Sequence, residues 1–353
     1  LGGSWRLRIA VLSQQVRHYT GGRYYCYQLA CALGELGHDV TLYVDRPVPF
    51  RMDFDAYRQP RIVVKSLWSL SDIPQHDLFI GLPMLGAEAA CRLSVRYEVP
   101  AVVCILDVLP LMSKYRGDRS PALRENFWAG MLAQIRHADA YVFVLAEHNR
   151  RPCAAWCGIP MERVFTVYPA VNDRVIDSLP TTERKYRACF ISRLEPHKKF
   201  PHVVDAVKPL GIHLDVVTAK AEESLVRRRD MQGYVTFHRG VPDKKKFEII
   251  SQSLCLISAS IWEGFGMFLI EALACATPVV CYSFPVFHEI VDGSEYERYV
   301  YFARHGDRQD LSAQIMKCLK ENFAGRFKRD SRFGMNQMML ALAGILSLMV
   351  GDD

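Results

Sequence analysis

The chain has 353 residues, half of them apolar, and carries a net charge of +6 with a pI near 8.7. That length is too great for one ordinary core and suits two domains of typical size. The positive excess is shared nearly evenly between the halves, which excludes a polycationic nucleic-acid-binding domain and is compatible with an anionic nucleotide or a membrane surface.

In chain order, Leu7-Arg-Ile-Ala-Val-Leu-Ser13 reads as a buried strand. A loop with Gly21 and Gly22 follows, then a helix with Tyr25, Leu29, Leu33 and Leu36 on one face, ended by Gly37. Val40–Val44 is the next strand. Short apolar runs at Leu78–Ile80, Ala101–Ile105 and Ala140–Leu145 then alternate with helical stretches, which predicts a parallel sheet covered on both faces. The alternation pauses between Tyr168 and Tyr186, where prolines and charges mark a linker. It resumes at Ala188–Ile191, Leu214–Thr218, Leu254–Ile257 and Pro278–Cys281 and ends in helical segments around Leu311–Glu321 and Met335–Met349. The expected fold class is α/β, with two doubly wound Rossmann-like domains facing a central cleft: residues 1–170 and residues 171–330. Residues 331–353 are expected as a terminal helix.

The most informative stretch is Ser260-Ile-Trp-Glu-Gly-Phe-Gly-Met-Phe-Leu-Ile-Glu-Ala-Leu-Ala274. Gly264 and Gly266 permit close backbone approach to a ligand, the N–H groups of the helix that follows attract anions, and Glu271, two turns on, can accept hydrogen bonds from vicinal hydroxyls. That order suits a sugar nucleotide, with phosphates at the glycines and ribose at Glu271. A tight strand-to-helix turn also uses glycine for steric reasons alone, and a glutamate in a first turn also complements the helix dipole.

The stretch resembles the donor-site motif of retaining glycosyltransferases of family 4, which have the GT-B fold. A second segment, Phe190-Ile-Ser-Arg-Leu-Glu-Pro-His-Lys-Lys199, is similar to the family's strand-end Gly-Arg-Leu segment with its following lysine. The resemblance implies transfer of a sugar from a nucleoside diphosphate donor to a hydroxyl of a glycan or lipid-linked acceptor, with no metal and no other cofactor. It implies Arg193 and Lys198 on the diphosphate, Glu263 on the sugar, the Gly264-Phe265-Gly266-Met267 backbone on the phosphates and Glu271 on the ribose. A guanidinium with an ammonium is what a charged leaving group needs in place of a metal. The chain departs from the family pattern at Ser192 and Lys199, each in place of a glycine, at Phe268 in place of a frequent proline, and at Leu106, where family members commonly carry histidine. Those departures motivate a rival reading, a catalytically silent subunit of the same architecture that binds a partner or a glycan.

Several residues carry two readings each. Gly21 and Gly22 are turn residues or face phosphate or acceptor; Asp107 caps a helix or belongs to the site; Glu289 orients its loop or reaches the nucleotide. Asp53 and Asp55 resemble a metal-binding Asp-x-Asp, but an early polar loop favours solvation. The runs Arg227–Arg229 and Lys244–Lys246 lack interleaved aromatics and read as exposed helix faces, not nucleic-acid sites. Lys114, Tyr115, Arg116, Arg119, Arg124 and Trp128 form a patch that is either solvated or a contact for an anionic membrane or acidic acceptor. Eleven cysteines form no Cys-x-x-Cys pair, and Cys104, Cys189, Cys255 and Cys281 lie in strand-like runs, the pattern of buried thiols in a reducing cytoplasm. Cys153 and Cys157 have helical spacing, yet no second Cys/His pair completes a metal set. Leu1-Gly-Gly-Ser4 reads as a trimmed end with no signal sequence after it, so a cytoplasmic protein is expected, with the inner face of the membrane a candidate location. The terminal helix has Met335, Met338, Leu342, Ile345 and Met349 on one face, and the family resemblance implies that residues 331–353 cross back to dock on the first domain, which is favoured over lying on a membrane. The resemblance also implies the acceptor on residues 1–170 and the nucleotide sugar on residues 171–330.

Overall fold

The computed structural model describes residues 6–14, 21–45, 56–67, 69–117, 124–180, 183–219, 233–321 and 331–350. Asp53, Asp55, Arg119 and the Arg227–Arg229 run lie outside the described residues. The first unit is built on β1 (Arg8–Ser13), β2 (Asp39–Val44), β3 (Arg61–Val64), β4 (Leu78–Gly81), β5 (Ala101–Ile105), β6 (Tyr141–Val144) and β7 (Val164–Thr166). Their order is β3-β2-β1-β4-β5-β6-β7, with every described pair parallel. The second unit holds β8 (Arg187–Ile191), β9 (His213–Thr218), β10 (Val235–Arg239), β11 (Cys255–Ser258), β12 (Val279–Tyr282) and β13 (Val300–Ala303). Its order is β10-β9-β8-β11-β12-β13, again parallel. Each sheet reverses direction beside its first strand, and such switch points open a crevice at the carboxyl ends of the strands.

Helices cover both faces of each sheet, so the middle strands are apolar on both sides. Every residue of β4, β5, β11 and β12 is buried, each large side chain contributing about 1.5–3 kcal/mol. The helix Gly21–Glu35 differs from the one-faced helix expected for it: twelve of its fifteen residues are buried. The C-terminal helix Met335–Val350 packs on it through Met338, Leu342, Ile345, Leu346 and Met349, which covers the side turned away from the sheet. The chain thus returns to its first unit at its end, assisted by a bridge between Val171 and Gly334. No described helix is long and apolar enough to cross a membrane.

One apolar cluster runs through the first sheet, across Trp262, Phe265, Phe284, Phe287 and Phe333 of the second unit, and into the C-terminal helix. Trp128 belongs to it, edge-on to Trp156, which corrects its assignment to a surface patch. Ten of the eleven cysteines are buried and all are free thiols. Cys153 and Cys157 contact each other at 3.8 Å.

Candidate functional site

The two units enclose a cleft of about 330 Å³ lined by Gly21, Gly22, Leu106, Asp107, Arg193, Lys198 and the whole segment Trp262–Phe268, with Glu271. Each contributor follows a strand. The helix Gly21–Glu35 comes after β1, Asp107 after β5, Arg193 after β8 and Glu263 after β11. Gly21 and Gly22 are not a free loop, as expected from sequence, but the first two residues of that helix. A methyl group on Gly22 would meet the Leu106 side chain, so the residue in the family's histidine position is packed on the helix start.

The turn Gly264–Met267 needs both its glycines. A Cβ at Gly264 would overlap the Leu106 carbonyl oxygen, and one at Gly266 would overlap the Phe287 ring. Gly266 also has φ +95°, a left-handed conformation that glycine adopts without steric cost. Asn149 Nδ2 of the first unit donates to the Gly264 carbonyl at 2.8 Å. The helix Met267–Ala274 begins there, and its first-turn N–H groups, which lack intrahelical acceptors, lie at the cleft.

Lys198 Nζ donates to Glu263 Oε1 at 2.7 Å, with only 12% and 15% of the two side chains exposed. Arg193 is more open and pairs with Glu195. Lys199 follows in a left-handed conformation, φ +46°, the geometry a glycine would meet without strain.

Asp107 Oδ1 accepts from Trp262 Nε1 at 2.7 Å, a bond between the two units. It is not a helix cap, since Val108 is the N-cap residue of the helix Leu109–Tyr115 and no side chain caps that helix. Burial pushes the Asp107 carboxyl above its ordinary range, against the opposing pull of the Trp262 hydrogen bond and the Lys198 charge. Beside it, Tyr115 packs on Trp262 and Phe284 and Arg116 lines the cleft, while Lys114 and Arg124 are exposed.

Glu271 is 4% exposed and accepts from Lys246 Nζ at 2.8 Å. Lys246 also pairs with Asp243 at 3.1 Å, and Tyr24 of the first unit donates to Asp243 Oδ2 at 2.8 Å. Lys246 is therefore a correction: Lys244 and Lys245 are exposed, but the third lysine of the run points inward, 12% exposed. The acid three residues before it and Phe247 after it were the only local signal. Desolvation would lower the Lys246 ammonium, but Asp243 and Glu271 outweigh it and hold it above its ordinary value. Burial pushes the Glu271 carboxyl up against the pull of Lys246.

Glu289 neither orients its own loop nor reaches the cleft. Its carboxylate accepts from the backbone N–H groups of Glu147 and His148, both at 2.7 Å, and from the Tyr168 hydroxyl at 2.8 Å. It caps the helix Glu147–Cys157 of the other unit, which has no side-chain cap of its own. Among the described residues no group of three or more His, Cys, Asp or Glu side chains is arranged to hold a metal ion.

Two parallel, doubly wound units facing a cleft at their strand ends define the GT-B architecture. Residues 172–337 match the family described as Glycosyl transferases group 1, so the second unit is a domain of that family. The O-antigen chain mannosyltransferase B of Escherichia coli is 22% identical over 223 residues, which is 57% of this chain and 57% of the relative. The chain thus spans little more than half the length of that curated relative. Two solved structures share the fold along nearly the whole chain. The sucrose-phosphate synthase of Thermosynechococcus elongatus has a TM-score of 0.77 at 17% identity, covering 97% of this chain and 99% of its own. Anabaena HepE, in complex with UDP and glucose, has a TM-score of 0.77 at 16% identity, covering 97% and 100%.

Proposed function

We propose that this protein transfers a sugar from a nucleoside diphosphate donor to a hydroxyl of a glycan or lipid-linked glycan, with retention at the anomeric carbon and without a metal ion. The carrying observation is the buried Lys198–Glu263 pair beside the Gly266–Met267 helix start, with Glu271 in the same cleft. Negative charge on the departing diphosphate is the largest quantity to stabilise, and preorganised cations and N–H groups do so without reorganising. Lys198 and Arg193 meet the diphosphate from one side and the N–H groups of the Gly264–Met267 turn from another. Glu263 holds sugar hydroxyls and Glu271 the ribose. In the front-face step the bond from the anomeric carbon to the phosphate oxygen breaks, the bond to the acceptor oxygen forms on the same face, and the acceptor proton passes to the departing diphosphate.

UDP in the Anabaena structure supports a nucleotide at this cleft, and the O-antigen relative supports a role in cell-surface polysaccharide synthesis. A lipid-linked acceptor would place the enzyme at the cytoplasmic face of a membrane. The test is nucleoside diphosphate release from a panel of sugar nucleotides with acceptor glycans. Arg193→Ala and Lys198→Ala are each expected to lower release by about 100-fold or more while circular dichroism stays unchanged. Wild-type turnover in both variants contradicts the assignment, and absence of release with binding intact supports the silent-subunit reading.

A further inference from the structure

Glu271 does not stand alone in the cleft. Its Oε1 is held by Lys246, Lys246 is held by Asp243, and Asp243 accepts from Tyr24 on the opposite unit, whose ring also lies 4.8 Å from the Lys246 ammonium. Among the described residues only Oε1 of Glu271 accepts a side-chain hydrogen bond, and the residue lines the cleft. From this geometry we infer that Lys246 is a positioning residue for donor binding, fixing Glu271 by one oxygen so that the other meets the ribose hydroxyls, and that Tyr24 ties this arrangement to the first unit. The inference rests on the donor-site reading above and deepens it.

The physical argument is one of charge and rotamer. A carboxylate this deeply buried loses its charge unless a cation faces it, and a protonated acid is a weaker acceptor for a sugar hydroxyl. An ammonium beside Oε1 keeps the group ionised and also fixes the side-chain torsions, so the ordering needed for ribose is already present before the donor arrives. Asp243 has the same effect on Lys246, whose stem would otherwise leave the helix Asp243–Gln252 in many rotamers. The Tyr24 hydroxyl closes the chain from the first helix of the other unit, so the ribose position is set by both halves of the molecule.

The experiment is calorimetric titration of the intact protein with UDP, GDP and ADP, each beside its 2′-deoxy counterpart. Wild type is expected to bind one base with about tenfold or greater preference for ribose over 2′-deoxyribose, the discrimination a hydrogen bond to a charged group supplies. In Lys246→Met that preference should fall to near unity while the diphosphate-dependent binding of the deoxy compound persists. Tyr24→Phe, which removes one hydroxyl and leaves the ion pairs, should reduce the preference partially, and it keeps the inference testable should Lys246→Met fail to fold. An unchanged ribose preference in Tyr24→Phe and in any folded Lys246→Met overturns the inference while leaving the donor site standing. If no nucleoside diphosphate binds the wild type, the donor-site reading fails and this inference with it.

Discussion

Asp107 and Lys199 show how single residues decide between structure and chemistry here. The Asp107 carboxyl is half-buried at the cleft, hydrogen-bonded to Trp262, and its pKa is raised, first by desolvation. Its stabilising contribution is therefore complete below the ordinary aspartate range and lost as pH rises through the raised value. Asparagine keeps the acceptor for Trp262 Nε1 without that loss. Asp107→Asn should hold or gain stability relative to wild type as the pH is raised to 7, measured by urea denaturation, while sugar transfer falls at least tenfold. Unchanged transfer reduces Asp107 to a strut between the units. Lys199 sits at φ +46°, a conformation that costs a side-chain-bearing residue about 1–2 kcal/mol. Lys199→Gly should thus raise stability by roughly 0.5–1 kcal/mol after the added backbone freedom of glycine in the unfolded chain is allowed for, and a loss of stability would show that the lysine side chain has a compensating contact.

The helices and strands divide by how much of their environment lies in their own sequence. Middle strands such as Ala101–Ile105 are buried along their whole length and announce themselves as apolar runs, because a parallel sheet needs apolar residues on both faces. The strands missing from the sequence reading are Arg61–Val64, Val164–Thr166, Val235–Arg239 and Val300–Ala303, and all four are sheet edges. They are short, and two of them have no buried residue, so neither length nor periodicity marks them. The site divides the same way. Glu263, Gly264, Gly266 and Glu271 belong to one contiguous turn and helix start and were legible. Lys246, Tyr24, Asn149 and the capping role of Glu289 were not, since each depends on a partner more than twenty residues away, and spacing carries no such information. The C-terminal helix was legible as an apolar element, while its return to the first unit was implied by the family resemblance alone. Deleting residues from Asn336 onward removes five buried side chains, each worth about 1.5–3 kcal/mol, which rivals the whole stability of about 5–15 kcal/mol usual for a protein. The truncated protein should melt far below the full chain and bind a hydrophobic dye. Equal melting points, with loss of sedimentation on anionic liposomes, would instead make the helix a membrane contact.

At the scale of the whole molecule, the two units are joined across the cleft by Asp107–Trp262, Asn149–Gly264, Tyr24–Asp243 and the Glu289 cap on the helix Glu147–Cys157. Two of these bonds end on Gly264 or beside Glu263, and a third ends on Asp243, which holds the lysine paired with Glu271, so in the proposed donor site ligand binding and apposition of the units share contacts. In the proposed donor site Arg193 and Lys198 take the part of a metal in balancing the diphosphate, and on that reading stabilisation by ligand should survive chelation. The most direct test is thermal unfolding of the full chain in excess EDTA with a panel of nucleoside diphosphates and their sugars. A ligand that binds only the folded state raises the melting point with its concentration, by about 2.7 kcal/mol of stability at a hundred times its Kd. The account predicts a concentration-dependent rise for donors of one base, abolished by Lys198→Ala. A flat melting point across the panel, or the same rise in Lys198→Ala as in wild type, would contradict it.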